Sequence, residues 1–295
     1  MKTLVCGDMH LKQSLILPRV AASAEATGAN RVVFLGDYVD GPMLADDDQV
    51  EALSAQFDWA EEMRSKGIEV EFLMGNHDAA YLGGKTCSAT MDWLAFGIAA
   101  QLERLELRVA TTTGDTLLAH AGVCRRWAKA FAPDLGGAED LAAKLKSMAA
   151  DSRGMRDLTC VGRKRGGYEV PGPLWADSSE LAADCMQGLT QIVAHSPQET
   201  CTHIDVRAED REIAAWRRHN TDEACIADET RIEADQKVDL WFCDTHAISR
   251  RRGEAVGDGS LLLIDGEEIS VIHPEDFGCE PWKVIAKAWL TQFDW

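Results

Sequence analysis

Short runs of β-branched and aromatic residues alternate with helix-period segments along the first part of the chain. Lys2 to Cys6, Arg31 to Leu35, Ile68 to Met74 and Thr116 to Ala119 have strand length and strand residue types, with little polar alternation. That pattern suits strands buried on both faces. Between them lie helical stretches, around Pro18 to Thr27 and Asp48 to Ser65 and near Met91 to Leu105. Val50, Leu53, Phe57 and Met63 form the apolar face of the second, and Gly28 and Gly67 close the first two. A hairpin is predicted to lead into Thr116. This repeated strand–loop–helix succession predicts an α/β architecture.

Beyond residue 123 the pattern changes. Helical signal returns at Cys124 to Ala132 and Glu139 to Ala150, and a strand is predicted over Thr190 to Ala194. Residues 199 to 237 are densely charged with little strand signal, so a surface excursion is expected, helical around Glu209 to Arg218. An all-β stretch follows at Val238 to Cys243, Ser260 to Ile264 and Glu268 to Ile272, with Gly257-Asp258-Gly259 and Asp265-Gly266 at its turns. Trp282 to Trp295 reads as a short docking helix. No repeat, low-complexity tract or linker divides the chain. Residues 1–295 are expected to form a single domain, with a lid or insert around 124–190 and the charged excursion around 199–237.

Composition narrows the function. The net charge of −19 and pI of 4.8 argue against general nucleic-acid binding, which needs a basic surface. The N-terminal apolar run is too short for a signal-peptide core, and no stretch reaches the roughly 18 apolar residues of a membrane span. The nine cysteines are an odd, scattered set without a Cys-x-x-Cys pair, which fits a reducing compartment; a cytoplasmic protein is expected. One segment is concentrated in positive charge: Arg153, Arg156, Arg163, Lys164 and Arg165. It reads either as a solvated loop or as a phosphate clamp. The stiff Pro171-Gly172-Pro173-Leu174-Trp175-Ala176-Asp177 turn follows, and Asp177 could pair with an arginine of the clamp or cap a turn.

Chemistry gathers at the strand exits. Gly7-Asp8-Met9-His10, Gly36-Asp37-Tyr38-Val39-Asp40, Gly75-Asn76-His77-Asp78 and His120-Ala121-Gly122 each follow a predicted strand, and Thr190 to Ala194 delivers His195. Open α/β sheets collect ligands at such exits. Asp8, His10, Asp37, Asn76, His120 and His195 mix carboxylate, amide and imidazole donors, which suit first-row divalent ions better than a calcium cage. Six donors exceed the needs of one ion with an open position. They suit two ions sharing a carboxylate, roughly 3.5–4 Å apart, a pair that clamps a phosphate ester and activates water. His77, beside Asn76, is then free to protonate a leaving alkoxide, and Asp40 is placed to hold its ring. His203, His219, His246 and His273 lie outside these motifs and are read as structural, His246 least securely.

This ordered motif series resembles the calcineurin-like metallophosphoesterases, and within them the PPP phosphoprotein phosphatases and their diadenosine tetraphosphatase relatives. Leu174-Trp175-Ala176-Asp177, His195-Ser196-Pro197 and Phe242-Cys243-Asp244-Thr245 extend the likeness. The resemblance implies a central β-sandwich flanked by helices, with the metal site at strand-end loops. It implies Asp8, His10 and Asp37 on a first metal, and Asp37, Asn76, His120 and His195 on a second, Asn76 also serving the substrate. It implies His77 with Asp40 as the acid pair. Two divalent ions are expected, Mn²⁺ first, with Fe or Zn as alternatives.

Three positions depart from the family pattern. Gly41 stands where an Arg is usual, Ala194 where a Gly is usual, and Asp78 where Glu is more common. Arg163 and Arg165 are the candidates to replace the missing Arg. The expected activity is hydrolysis of phosphomonoesters by metal-activated hydroxide, in the manner of a Ser/Thr phosphoprotein phosphatase. A dinucleoside polyphosphate or small phosphoester hydrolase is the alternative, and an inactive metal-binding scaffold a further one.

Overall fold

The computed structural model describes residues 1–41, 46–133, 137–207, 237–249 and 253–292. Two five-stranded sheets form its centre, and β9 (Ile248–Ser249) pairs antiparallel with β10 (Glu254–Ala255) in a separate two-stranded ribbon. The first has the order β12-β11-β1-β2-β3, with β1 (Lys2–Cys6), β2 (Arg31–Phe34) and β3 (Glu69–Phe72) parallel, and β11 (Leu261–Asp265) and β12 (Glu268–Ile272) antiparallel on one side. The second has the order β4-β5-β6-β8-β7. In it β5 (Thr116–Ala119), β6 (Thr190–Val193) and β8 (Lys237–Phe242) are parallel, flanked by antiparallel β4 (Ala110–Thr113) and β7 (Thr202–Arg207).

Alternation along each strand builds three apolar layers. On β1, Leu4 and Cys6 face helices while Val5 faces the opposite sheet; on β2, Val32 and Phe34 face helices while Val33 and Leu35 face inward. Leu118, Ile192 and Ala194 meet Val5, Val33, Leu73 and Leu262 between the sheets. Both faces of each inner strand are therefore covered, which explains the unbroken apolar runs in the sequence. Helices α1 (Gln13–Thr27), α2 (Asp46–Ser65) and α4 (Ala95–Arg104), with the C-terminal helix Trp282–Leu290, cover the first sheet. Helices α5 (Arg125–Phe131), α6 (Ala138–Met148), α7 (Ser152–Leu158) and α8 (Ser178–Ala183) cover the second through Trp127, Leu141, Leu158 and Leu181. The segment expected as a lid or insert thus supplies the outer helical layer of that sheet.

Several boundaries differ from expectation. Helix α1 starts at Gln13 and carries Pro18 inside it. Ser14 and Pro18 both lie on the exposed face, while Ile16, Leu17 and Val20 are buried on the other. That burial outweighs the hydrogen bond that proline forfeits. Residues 202–207, read as part of a charged excursion, form strand β7. It is an edge strand bonded only to β8, where charged side chains are ordinary. Arg153 to Arg165, read as one loop, contains α7, N-capped by Asp151, and a 3₁₀ turn at Arg163–Arg165. The helix expected over Glu209 to Arg218, like most of the excursion, lies outside the described residues.

One buried polar cluster ties the sheets together at the end away from the strand exits. Arg31 on β2 donates to Glu71 on β3 at 2.6 Å, and across the sandwich to Thr112 O at 2.8 Å, Thr111 Oγ1 at 2.7 Å and Thr113 Oγ1 at 2.9 Å. Burial works to raise the Glu71 pKa, but the Arg31 charge and these hydrogen bonds hold it below its ordinary value. Its stabilisation is therefore present above the ordinary carboxylate range and fades as pH falls through the folded value. Arg31→Met would leave the buried Glu71 with only the half-exposed Arg108, at 3.1 Å, as its ion-pair partner, and should destabilise the fold by about 1–3 kcal/mol in urea unfolding at neutral pH. Arg31→Met with Glu71→Leu should lose less, and its stability should depend less on acid. Equal loss in both variants would show that the ion pair is not the cause.

Candidate active site

Every parallel strand of both sheets ends at the same place. Asp8 follows β1, Asp37 and Asp40 follow β2, Asn76 and His77 follow β3, His120 follows β5 and His195 follows β6. The exits are joined by backbone hydrogen bonds: His10 N to Asp37 O at 2.7 Å, and Ala194 N to His120 O at 2.8 Å. Five residues here hold left-handed backbone conformations without being glycine: His10, Leu11, Asp37, Asp40 and His195, with φ of 45°, 60°, 55°, 60° and 63°. Such conformations cost on the order of 1–3 kcal/mol each and persist where surrounding structure imposes them. Gly36 and Gly75 allow the close approach. A Cβ on Gly75 would overlap the Asp37 carboxylate, and one on Gly36 would meet Gly75 N at 2.5 Å.

The imidazoles are oriented by the backbone. His10 Nδ1 lies 3.1 Å from Val39 O and His120 Nδ1 lies 2.9 Å from Leu35 O. Each carbonyl needs a donor, so both rings carry the proton on Nδ1 and present a lone pair at Nε2. Both Nε2 atoms stand 3.5 Å from one oxygen, Asp37 Oδ2. His120 Nε2 also lies 3.0 Å from Asn76 Oδ1 and 3.1 Å from His195 Nδ1, and His10 Nε2 lies 3.9 Å from Asp8 Oδ2. His195 Nε2 is buried without a partner, so either tautomer of that ring leaves an atom unsatisfied. Acceptors facing acceptors in a buried site call for cations, and this donor set fits first-row divalent ions. Asp37, His120 and His195 form one group spaced to hold an ion; His10 and Asp37 belong to a second.

Electrostatics agree. Burial holds His10, His120 and His195 neutral, His10 pushed down to about 3. Burial, with the neighbouring Asp244 and Asp37 charges, raises Asp8. Asp244 itself is pushed up to about 7, chiefly by burial. A bound cation would reverse these carboxylate shifts by favouring the charged form.

His77 stands beside this centre. Its Nδ1 lies 2.8 Å from Asp40 Oδ2, and its backbone N–H donates to Asp37 Oδ1 at 3.0 Å. Burial opposes the charge on this ring, but Asp37 and the Asp40 hydrogen bond prevail and push His77 up to about 11. The Asp40 carboxylate is held from behind by the Tyr81 hydroxyl at 2.5 Å, and its backbone N–H donates to Gln49 at 3.1 Å.

A cleft of about 430 Å³ opens onto these groups and is lined by Asp8, His10, Asp37, Asp40, Asn76 and His77, among others. His195 lies on its wall and His120 is fully buried behind. Of the two candidate arginines, Arg165 lines the cleft; its Nη2 donates to Ser196 Oγ at 2.9 Å and its Nε lies 3.2 Å from Asp177 Oδ2. Asp177 also caps α8, so it serves both of the roles weighed for it. Arg163 is exposed and does not line the cleft. Position 41 has no room for a side chain, because a Cβ there would meet Leu11 Cβ at 2.7 Å. A larger groove of about 710 Å³, lined by Leu17, Trp59 and Trp289 among others, lies elsewhere and contains no histidine or cysteine.

Sequence reasoning missed several groups. Asp244 lines the cleft just past β8 and obeys the same strand-exit rule that marked the others. Tyr81 sits one helical turn beyond His77 on α3 (Asn76–Tyr81), a spacing that places both on one face. Lys12 and Cys87 line the cleft without any motif to mark them. His246 is buried against Trp282 with neither ring nitrogen paired, His203 pairs with Asp239 at 3.0 Å, and His273 lies 3.8 Å from Asp258. His219 lies outside the described residues.

The family profile of the calcineurin-like phosphoesterases matches residues 1–151. The chain belongs to that family, and is a phosphoester hydrolase of a metal-dependent class. The cold-active protein-tyrosine phosphatase of a psychrophilic Shewanella species overlays with a TM-score of 0.53 at 16% identity, over 95% of this chain and 80% of that one. At that identity the likeness speaks for the fold. A metallophosphoesterase from Sphaerobacter thermophilus overlays more loosely, with a TM-score of 0.37 at 15% identity over 98% of each chain. None of the curated proteins compared with the chain matches it significantly.

Asp78 tests how the centre is held. Its carboxylate accepts from Asp37 N and Gly75 N at 2.8 Å and from Tyr38 N at 2.9 Å, joining the loops after β2 and β3. Asp78→Ala should lower Mn²⁺ affinity about 10–100-fold in calorimetric titration, although Asp78 faces none of the lone pairs. Unchanged affinity would mean the loops keep their geometry without it.

Proposed function

We propose that this protein is a dinuclear phosphomonoesterase. Asp8, His10 and Asp37 would hold one ion, Asp37, Asn76, His120 and His195 the other, and His77 with Asp40 would form the acid pair. The observation that carries this reading is the position of Asp37 Oδ2, 3.5 Å from the lone pairs of both His10 and His120. A carboxylate so placed is suited to bridge two cations. Mn²⁺ is the proposed metal, because the donors are oxygen and imidazole without a thiolate. Such ions supply Lewis-acid polarisation of a phosphoryl oxygen and acidify the attacking water.

The chain's own residues would do the rest. His77 is charged at neutral pH and keeps Nε2 free of Asp40, so it can give a proton to the leaving oxygen. Asp40 keeps the ring in that tautomer and orientation. Arg165, steadied by Asp177, would bind a phosphate oxygen in place of the Arg absent at position 41. Arg163 is not proposed for this role, because it faces solvent. Trp175, whose ring centre lies 5.9 Å from that of His195, forms an apolar wall beside the phosphate site. Phosphoserine or phosphothreonine in proteins is the proposed substrate class, supported by His195-Ser196-Pro197 and Leu174-Trp175-Ala176-Asp177. Dinucleoside polyphosphates are the second class to test.

Metal-stripped protein should regain turnover with Mn²⁺ on an aryl phosphate, a phosphoserine or phosphothreonine peptide, or diadenosine tetraphosphate, and the preferred one assigns the class. His77→Ala should lower kcat by about 10²–10⁴-fold while metal content stays unchanged. Asp37→Asn should lose metal and turnover together. Turnover in His77→Ala equal to the parent would reject the acid pair, and absence of turnover on all three substrates would favour the scaffold reading. Arg165→Ala should raise KM strongly while Arg163→Ala leaves it unchanged. Equal effects from the two would remove Arg165 from the phosphate site.

A further inference from the structure

A thiol lies against the acid pair that the metal centre and its chemistry leave unused. Cys87 Sγ is 3.4 Å from His77 Nδ1 and 3.8 Å from Asp40 Oδ2, and those two atoms are 2.8 Å apart. Among the described residues, Cys87 is the only cysteine lining the cleft. We propose that Asp40, His77 and Cys87 form a third divalent-metal site, suited to zinc, whose filling disables the acid pair. The inhibitory half of this proposal rests on the function proposed above, whereas the metal site itself does not.

The spacing is what a zinc ion requires. Tetrahedral ligation at about 2.3 Å to sulfur and about 2.0–2.2 Å to nitrogen and oxygen sets the ligand atoms roughly 3.2–3.6 Å apart. The thiol already stands close to that distance from both partners, and only the His77–Asp40 hydrogen bond has to open. All three ligands come from different segments and are positioned from outside the triangle. Tyr81 engages Asp40 Oδ1 and leaves Oδ2 turned toward the thiol. Thr90 accepts from Cys87 N at 3.0 Å and donates its own backbone N–H to Cys87 O at 3.2 Å, closing a turn that aims the sulfur. The His77 hydrogen bond lowers the Cys87 pKa against the opposing effect of burial, which favours the thiolate that a metal needs.

The two kinds of site would select different metals. The set around Asp37 has no sulfur, and the Cys87 set has one, so zinc prefers the latter more strongly than manganese does. Binding displaces the protons of Sγ and His77 Nδ1 to solvent and converts Asp40 from hydrogen-bond acceptor to ligand. The ring keeps its Nε2 proton, but losing it would leave a metal-bound imidazolate instead of a neutral imidazole, so it is a far weaker acid toward a leaving group.

Cobalt is the probe for the site, because a thiolate ligand adds a near-ultraviolet charge-transfer absorption that carboxylate, amide and imidazole ligands lack. The full chain, loaded with Mn²⁺, would be titrated with Co²⁺ alongside Cys87→Ser and Cys87→Ala. The expected result is absorption saturating at one thiolate per chain and absent from both variants. In parallel, added Zn²⁺ with Mn²⁺ in excess should lower parent turnover by about tenfold or more, and leave Cys87→Ser at its basal rate. Absence of the absorption in the parent, or its persistence in both variants, overturns the site. Absorption accompanied by equal zinc sensitivity in parent and variants overturns the switch. If no phosphoester is turned over at all, the functional reading fails and the absorption still decides the metal site.

Discussion

Lone pairs held against one another organise this protein. The Nε2 atoms of His10 and His120 both face Asp37 Oδ2, and His120 Nε2 also faces Asn76 Oδ1. None of these contacts is attractive between neutral imidazole, carboxylate and amide oxygen. In a low-dielectric interior such an arrangement is unfavourable unless positive charge enters it. The fold therefore has to supply the rigidity that the site alone would relax.

That rigidity comes from the sandwich. Six parallel strands from two sheets end at one level, and backbone hydrogen bonds join the exit loops of β1 to β2, β5 to β6 and β6 to β8. Asp78 and Tyr38 add further ties: Asp78 accepts three backbone N–H groups, and the Tyr38 hydroxyl donates to Leu73 O at 2.8 Å. At the other end of the sheets the Arg31–Glu71 cluster locks the relative position of the two layers. The left-handed conformations at His10, Leu11, Asp37, Asp40 and His195 are where the strain of this construction collects.

The same frame accounts for two of the residues that depart from the family pattern, Gly41 and Asp78. Gly41 lies against Leu11, so a side chain there would push apart the loops after β1 and β2. Positive charge reaches the cleft instead from Arg165, carried on a turn that packs under His195 and is held by Asp177. The shorter carboxylate of Asp78 reaches three backbone donors at 2.8–2.9 Å and so serves the loops directly. On the function proposed above, the first of these would be a change in how a phosphate is approached. The lone-pair convergence itself is untouched by them.

Much of the centre was legible from sequence because its grammar is local. A buried strand announces itself by an unbroken apolar run, and a polar ligand immediately after it must lie at the sheet's end. Asp8, Asp37, Asn76, His120 and His195 all obey that rule, and Asp244 obeys it too. What local patterning could not decide was which loops meet and which side chains turn inward. Arg163 and Arg165 share one short turn, yet one faces solvent and the other the cleft. Cys87 carries no motif and reaches His77 only because a Thr90-closed turn returns the chain to α3. Residues 202–207 look like solvated chain until β8 offers an edge to pair with. Periodicity and residue type are properties of neighbours along the chain, so they suffice for the inner strands and for the polar residues standing at their exits. Convergence depends on contacts between residues far apart in the chain, such as Arg31 with Thr111 or His195 N with Asp8, which no local pattern encodes.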